Sequence, residues 1–151
     1  MHIAPDHRRL PLCGLLLAAL LSACTLSPRV FAPVEPVLTS SALAGTEWVA
    51  FAIDGMPEVS IPKPRMQWVG ADQVSGTGGC NRFRGPALAS LGTLRLGPLA
   101  STGRACLSMP GSQEDLFFKA LELTRKARFD RDQLVLMDES GKVLARFLKA
   151  N

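Results

Sequence analysis

Over most of the stretch from Thr46 to Leu148, apolar side chains recur at every second residue in short runs broken by Gly, Asp and Pro. That period belongs to strands, because successive side chains of an extended chain point to opposite faces. Thr46 to Ile53 offers two apolar faces, Trp48/Ala50/Ala52 and Val49/Phe51/Ile53, as expected of a strand covered on both sides. Asp54-Gly55-Met56-Pro57 supplies turn residues after it. Met66 and Trp68 alternate with Arg65 and Gln67, and Gly70-Ala71-Asp72 turns the chain into Val74. Thr93 to Leu96 alternates after the Gly92 turn. Gln133 to Met137 and Lys142 to Leu148 flank Asp138-Glu139-Ser140-Gly141, with Gly where a positive φ is expected. Short strands separated by turns predict a meandering antiparallel sheet, and so a mainly β protein.

One segment changes period. From Ser112, which stands three residues before Asp115 as an N-cap would, Leu116, Phe117, Ala120, Leu121, Leu123, Thr124 and Ala127 fall on one side at helical spacing. Glu114 and Asp115 at the start and Arg125, Lys126 and Arg128 at the end suit the macrodipole. Asp115 with Lys119 and Glu122 with Lys126 add i,i+4 pairs. The spacing predicts one α-helix over about 112–127, laid against or plugging a curled antiparallel sheet or partly closed barrel.

The N-terminus follows other rules. Arg8 and Arg9 precede an apolar run, Leu12 to Leu21, and small residues Ser22 and Ala23 lead into Cys24. This is the order of a secretory signal peptide, and a run of about ten residues is too short for a spanning helix, which needs about 20. Leu21-Ser22-Ala23-Cys24 resembles a bacterial lipobox, which implies cleavage after residue 23 and acylation of Cys24, palmitate included. Acyl chains add about 0.8 kcal/mol per buried methylene and would hold the chain to a membrane. Thr25 follows the Cys where enteric-type lipoproteins kept at the inner membrane carry Asp, so the resemblance implies the periplasmic side of the outer membrane. Residues 24–42, with Pro28, Pro33 and Pro36, read as a lipidated Cys and a semi-rigid tether, and 43–151 as one domain.

Loss of residues 1–23 takes two of 17 basic and one of 13 acidic side chains, leaving fifteen and twelve. Such a mild positive balance, with no dense basic run, gives no reason to expect a nucleic-acid partner. Both histidines go with the signal segment, and the chain has no tyrosine. A Ser-His-Asp triad, a Cys-His pair and a His-containing zinc site are then excluded, and two further cysteines cannot build an all-Cys one. Glu114, Asp115, Glu122, Asp130, Asp132, Asp138 and Glu139 sit at predicted helix faces or turns, where a carboxylate is ordinarily solvated. Glu47, Asp54, Glu58 and Asp72 are scattered singly. No catalytic residue, cofactor site or metal site is expected, and the chain reads as a non-enzyme.

The segment GTGGCNRFRG, Gly76 to Gly85, looks at first like a phosphate loop. It lacks the Lys-Ser/Thr of a P-loop, and no helix follows it. Its glycines fit positive φ or a tight bend where the sheet curls. Cys80 and Cys106 are open to three states: a structural disulfide, two buried thiols, or a redox thiol near Arg82, Arg84 and Arg104. An oxidising compartment and exactly two thiols favour the disulfide, worth about 3 kcal/mol in the entropic model. The three arginines are either a small patch for an anionic partner or the solvated outer face of a strand. Trp48 and Trp68 read as core.

With these residues in view, 43–148 resembles the META domain family, in particular the HslJ-like bacterial lipoproteins. LAGTEWVAFAIDG resembles the family's opening strand, and VSGTGGCNRFRG its central Gly-Cys-Asn motif with a further Gly four residues beyond Asn81. LRLGPLASTGRAC, EDLFFKAL and QLVLMDESGKVLARF resemble the later strand, helix and closing hairpin. Two positions depart: Ala87 stands where an aromatic is usual, and Arg104 where Met is common, so a pocket built on those side chains in relatives would differ here. The family's cysteines align with Cys80 and Cys106, in keeping with a bridge. The resemblance implies a small β-rich domain with one helix, in an envelope lipoprotein tied to heat shock or antibiotic tolerance, and no agreed catalytic residues.

Three functions fit this reading. The first is a stress or assembly factor that binds another envelope protein. The second is a carrier of a small or lipidic ligand in the mouth of the curled sheet. The third is an inhibitor of a cell-wall hydrolase or protease.

Overall fold

The structure, a computed structural model, describes residues 36–104 and 111–151. Residues 1–35, with the expected signal segment and Cys24, and Cys106 lie outside the described residues.

The chain opens with a single helical turn, α1 (Ser40–Leu43), capped by Thr39. It then runs through β1 (Glu47–Ile53), β2 (Arg65–Trp68), β3 (Gln73–Thr77), β4 (Arg82–Ser90), β5 (Thr93–Leu96) and β6 (Ala100–Ser101). Helix α2 (Gln113–Leu123) precedes β7 (Lys126–Asp130), β8 (Gln133–Met137) and β9 (Val143–Lys149). Every pairing is antiparallel, in the order β3-β2-β1-β9-β8-β7-β5-β4-β6, and β3 also pairs with β4. That last pairing curls the sheet into a ring, with β6 added to the edge of β4 that faces away from β3. The ring is uneven. Between β5 and β7 the register holds one pair, Thr93 with Lys126, supported by Leu94 N–H to Arg125 O and Ala127 N–H to Gly92 O.

The ring is filled rather than hollow. Met66, Trp68, Val74, Leu94, Leu134, Leu136 and Phe147 are almost fully buried. Helix α2 packs against β1, β8 and β9. Its Phe117 also meets Phe83 on β4 and Phe147 on β9, strands that stand opposite each other in the ring. The helix therefore spans the interior as a plug, and its packing uses aromatic edges and faces about 6 Å apart.

Four expectations need correction. The helix ends at Leu123, and Lys126–Asp130 is strand. Ser112 does cap it, accepting from Asp115 N–H at 3.3 Å. At the other end Thr124 turns extended, and the Arg125 guanidinium donates to the carbonyls of Glu122 and Thr124 at 2.7 Å each. The helix-like stripe through Ala127 also satisfies period two, with Ala127 inward and Arg128 outward, and pairing with β8 decides in favour of strand. Lys126 accordingly bonds Glu139 O, and Leu123 is exposed.

On β1 the buried residues are Trp48, Ala50 and Ile53, because a bulge at Ala50/Ala52 shifts the register and exchanges Ala52 for Ile53. Val49 and Phe51 are only half-buried, so β1 is not covered on both sides. Residues 36–42, read as tether, already belong to the fold. Leu38 is buried, and the Ser40 hydroxyl both donates to Ala89 O and accepts from Ala89 N–H. The fourth correction concerns Glu114 and belongs to the site.

Candidate functional site

The glycine-rich segment connects β3 to β4, and its conformation is imposed from outside. A Cβ on Gly76 would lie 2.0 Å from Arg65 O, and one on Gly78 would lie 2.8 Å from Glu114 Oε1. Gly79 alone of the loop glycines takes a positive φ, +123°. The glycines at 76 and 78 are thus needed for close approach more than for turning.

What approaches the loop is Glu114, in the first turn of α2. Its Oε1 accepts from the N–H groups of Cys80 (3.1 Å) and Asn81 (2.6 Å), and its Oε2 accepts from Asn81 Nδ2 (2.9 Å). Read from sequence as solvated, Glu114 is 8% exposed. A buried carboxylate is tolerated because hydrogen bonds replace water around it. Asn81, equally buried, relays the grip: its Oδ1 accepts from the Thr102 hydroxyl (3.0 Å) and Arg104 N–H (2.8 Å). Thr102 in turn accepts from Arg82 N–H at 3.1 Å. The neighbouring Gln113 binds Ser60 and Pro62 of the β1–β2 loop. One turn of helix therefore ties down two loops and fixes where β4 begins and where β6 ends.

Outside this clamp lies a groove of about 730 Å³ across the outer faces of β2, β3, β4 and β6. Strand alternation sends Phe83, Ala87 and Ala89 inward and Arg82 and Arg84 outward. The register lines up Arg65, Thr77 and Arg82 in one cross-strand row, and Gln67, Ser75, Arg84 and Ala100 in the next. Glu47 holds Arg65 at 3.2 Å. Among the described residues, no carboxylate lies within ion-pairing distance of Arg82 or Arg84.

Of the three arginines singled out from sequence, Arg82 and Arg84 share this groove. Arg104 is exposed beside it, and its backbone rather than its side chain is tied to Asn81. Cys80 is half-buried next to the clamp, while Cys106 lies outside the described residues. Arg65 was not anticipated, since only the β2–β3 register brings it across from Arg82. Glu114 was missed for the same reason, being 33 positions from Asn81. The crowding of Gly76, Gly78 and Gly79 was the one available sign that another group comes close.

The META domain model matches residues 41–151, the whole ring with its plug and clamp. This chain belongs to the META domain family. As a META domain it is similar in fold to an NMR structure of a protein from Burkholderia xenovorans, at 24% identity over 83% of this chain and 97% of that one, TM-score 0.57. A second NMR structure matches at 24% identity, 73% and 94% coverage and TM-score 0.57. None of the curated proteins matches the chain.

Proposed function

We propose that this META protein is a lipoprotein of the outer membrane, anchored by acyl chains on Cys24 and facing the periplasm. It acts in envelope stress tolerance, such as heat shock or antibiotic exposure, or in assembly, by binding another envelope component. It works without catalysis, metal or cofactor, and a Cys80–Cys106 bridge staples the strand that carries the binding face. The observation that carries this reading is the groove, where among the described residues no carboxylate lies within ion-pairing distance of Arg82 or Arg84, on a strand whose start is fixed from below by Glu114 and Asn81. A buried network that holds charged side chains in place is what a binding face needs, because preorganisation lowers the entropic cost of association. A ligand in the mouth of the sheet is disfavoured, since Trp68, Phe83, Phe117 and Phe147 fill the interior.

The test is affinity capture from solubilised envelope, with the full lipidated chain as bait and an Arg82→Ala/Arg84→Ala/Arg104→Ala variant beside it. A single component retained by the parent and lost by the variant is the expected result. Equal or empty capture by both would count against a binding face on this strand.

A further inference from the structure

From the same groove, and resting on the reading just given, we infer the chemistry of what it binds: a phosphate monoester carried on a hydroxyl-rich body, as in a sugar phosphate. Charge comes first. Arg65, Arg82 and Arg84 against Glu47 leave two positive charges, the complement of a dianion. Spacing comes second. Arg82 and Arg84 are two residues apart on one face of β4, about 7 Å at the strand's rise, so both guanidiniums can close on a single oxyanion. Arg65 stands two strands away, about 10 Å at ordinary strand spacing, and closes the far side. Guanidinium forks bind phosphate oxygens bidentately, which favours a group with three terminal oxygens.

Donor balance separates a phosphate from an acidic peptide. Between the arginines stand the hydroxyls of Ser75 and Thr77 on β3, with the Gln67 amide beside Arg65, while Met66, Phe83 and Ala100 supply apolar lining. An extended peptide brings its own N–H groups and needs backbone acceptors. Those of β3 are taken on both edges, by β2 and by β4, and the open edge belongs to β6, so a peptide strand would add beside Ala100 and Ser101 rather than between the arginines. A phosphate brings acceptors only. The groove, about 730 Å³, far exceeds a bare phosphate, and the hydroxyls of Ser75 and Thr77 and the amide of Gln67 beside the arginines, with Met66 and Ala100 as apolar floor, suit a sugar ring next to the charged group.

The experiment uses the full chain in phosphatidylcholine nanodiscs and follows the Arg Nε–H resonances by NMR. Glucosamine 1-phosphate is titrated in solution, and in a second arm the disc is doped with phosphatidic acid. Saturable shifts at Arg82 and Arg84 in the soluble arm support a free or glycan phosphate, and shifts in the doped arm alone keep the phosphate monoester, on a lipid, and overturn the hydroxyl-rich body. In either case Arg82→Ala and Arg84→Ala each weaken binding by about tenfold, the scale of a lost charged hydrogen bond. Arg95→Ala, exposed on β5 outside the groove, changes nothing. The variants remove exposed side chains, and unchanged amide spectra away from β4 verify that they fold.

No saturable shift in either arm, an undiminished affinity in both the Arg82→Ala and the Arg84→Ala variant, or tighter binding of a glutamate-rich hexapeptide than of the sugar phosphate would each overturn the proposal. The last outcome would leave an arginine-dependent binding face intact and correct only its ligand. Failure of the capture experiment as well would remove the face itself.

Discussion

Two loops of this molecule are each organised by one carboxylate, and they differ in how far that carboxylate comes from. In the β8–β9 turn, Asp138 accepts from the Ser140 hydroxyl at 2.6 Å and from Lys142 N–H at 2.9 Å, all within four residues and exposed. In the β3–β4 loop, Glu114 reaches back 34 and 33 positions to the N–H groups of Cys80 and Asn81 and is buried there. The first is a local preference that the chain would express with little help, since Asp and Gly favour such turns by their own chemistry. The second exists only once α2 has docked on the ring. The comparison teaches that a carboxylate's importance follows its burial and the reach of its contacts rather than the number of its hydrogen bonds.

The sharpest way to break the comparison is Glu114→Ala. It leaves buried donors on Cys80 and Asn81 without an acceptor, at about 1–3 kcal/mol for each group that water cannot reach. We expect a loss of about 3 kcal/mol or more in denaturant unfolding. Glu114→Gln should recover part of it, since the amide oxygen still accepts from the backbone while its NH2 opposes Asn81 Nδ2. A loss under about 1 kcal/mol for Glu114→Ala would show that the loop holds without the clamp.

Asn81→Asp is expected to be the next in size, and it is diagnostic through pH. Two carboxylates would face each other at the present 2.9 Å contact, and such a pair favours retention of a proton. A carboxyl whose folded pKa is raised costs stability above that pKa, and the cost fades as pH falls to the unfolded value and below. The deficit relative to the parent should therefore be largest near neutrality and shrink in acid. A pH-independent deficit, read from melting temperatures across pH, would argue against a direct Asn81–Glu114 contact.

The smallest effect belongs to Asp138→Asn. The Ser140 hydroxyl, and then Lys142 N–H, hold the Asp138 carboxyl below its ordinary value of 3.8. A depressed carboxylate pKa contributes stability above the unfolded value, lost as pH falls through the folded one. The variant should melt slightly below the parent at neutral pH, by less than any clamp variant, and the two should converge in acid. If Asp138→Asn matched Glu114→Ala, the contrast between local and long-range loops would fail.

The outward alternation of Arg82 and Arg84 was open to view in the sequence as a strand face, and so were the closing hairpin and the Ser112 cap. These follow from neighbours within a few residues, where side-chain direction alternates and a hydroxyl finds the backbone of its own turn. The end of α2 was not legible. Lys126–Asp130 suits a helix as well as a strand by pattern, and only the vacancy beside β8 makes it β7. Nor was the bulge on β1 that puts Ile53 inside, because it answers to the register of β9.

By itself, then, the sequence determined a mainly β domain with one helix and a chemistry without histidine after residue 23, while the reason for Gly76 and Gly78, close approach rather than the positive φ or bend expected of them, came from the fold. Tertiary structure alone decided that the sheet closes through β3 and β4, that Glu114 is a buried anchor, and that Arg65 joins Arg82 and Arg84 around one groove. The physical reason is common to all three. Local geometry selects each strand and cap residue by residue, whereas burial of a charge or convergence of three guanidiniums requires segments far apart in the chain to dock. The free energy of docking comes from the packed interior, which those side chains do not themselves encode.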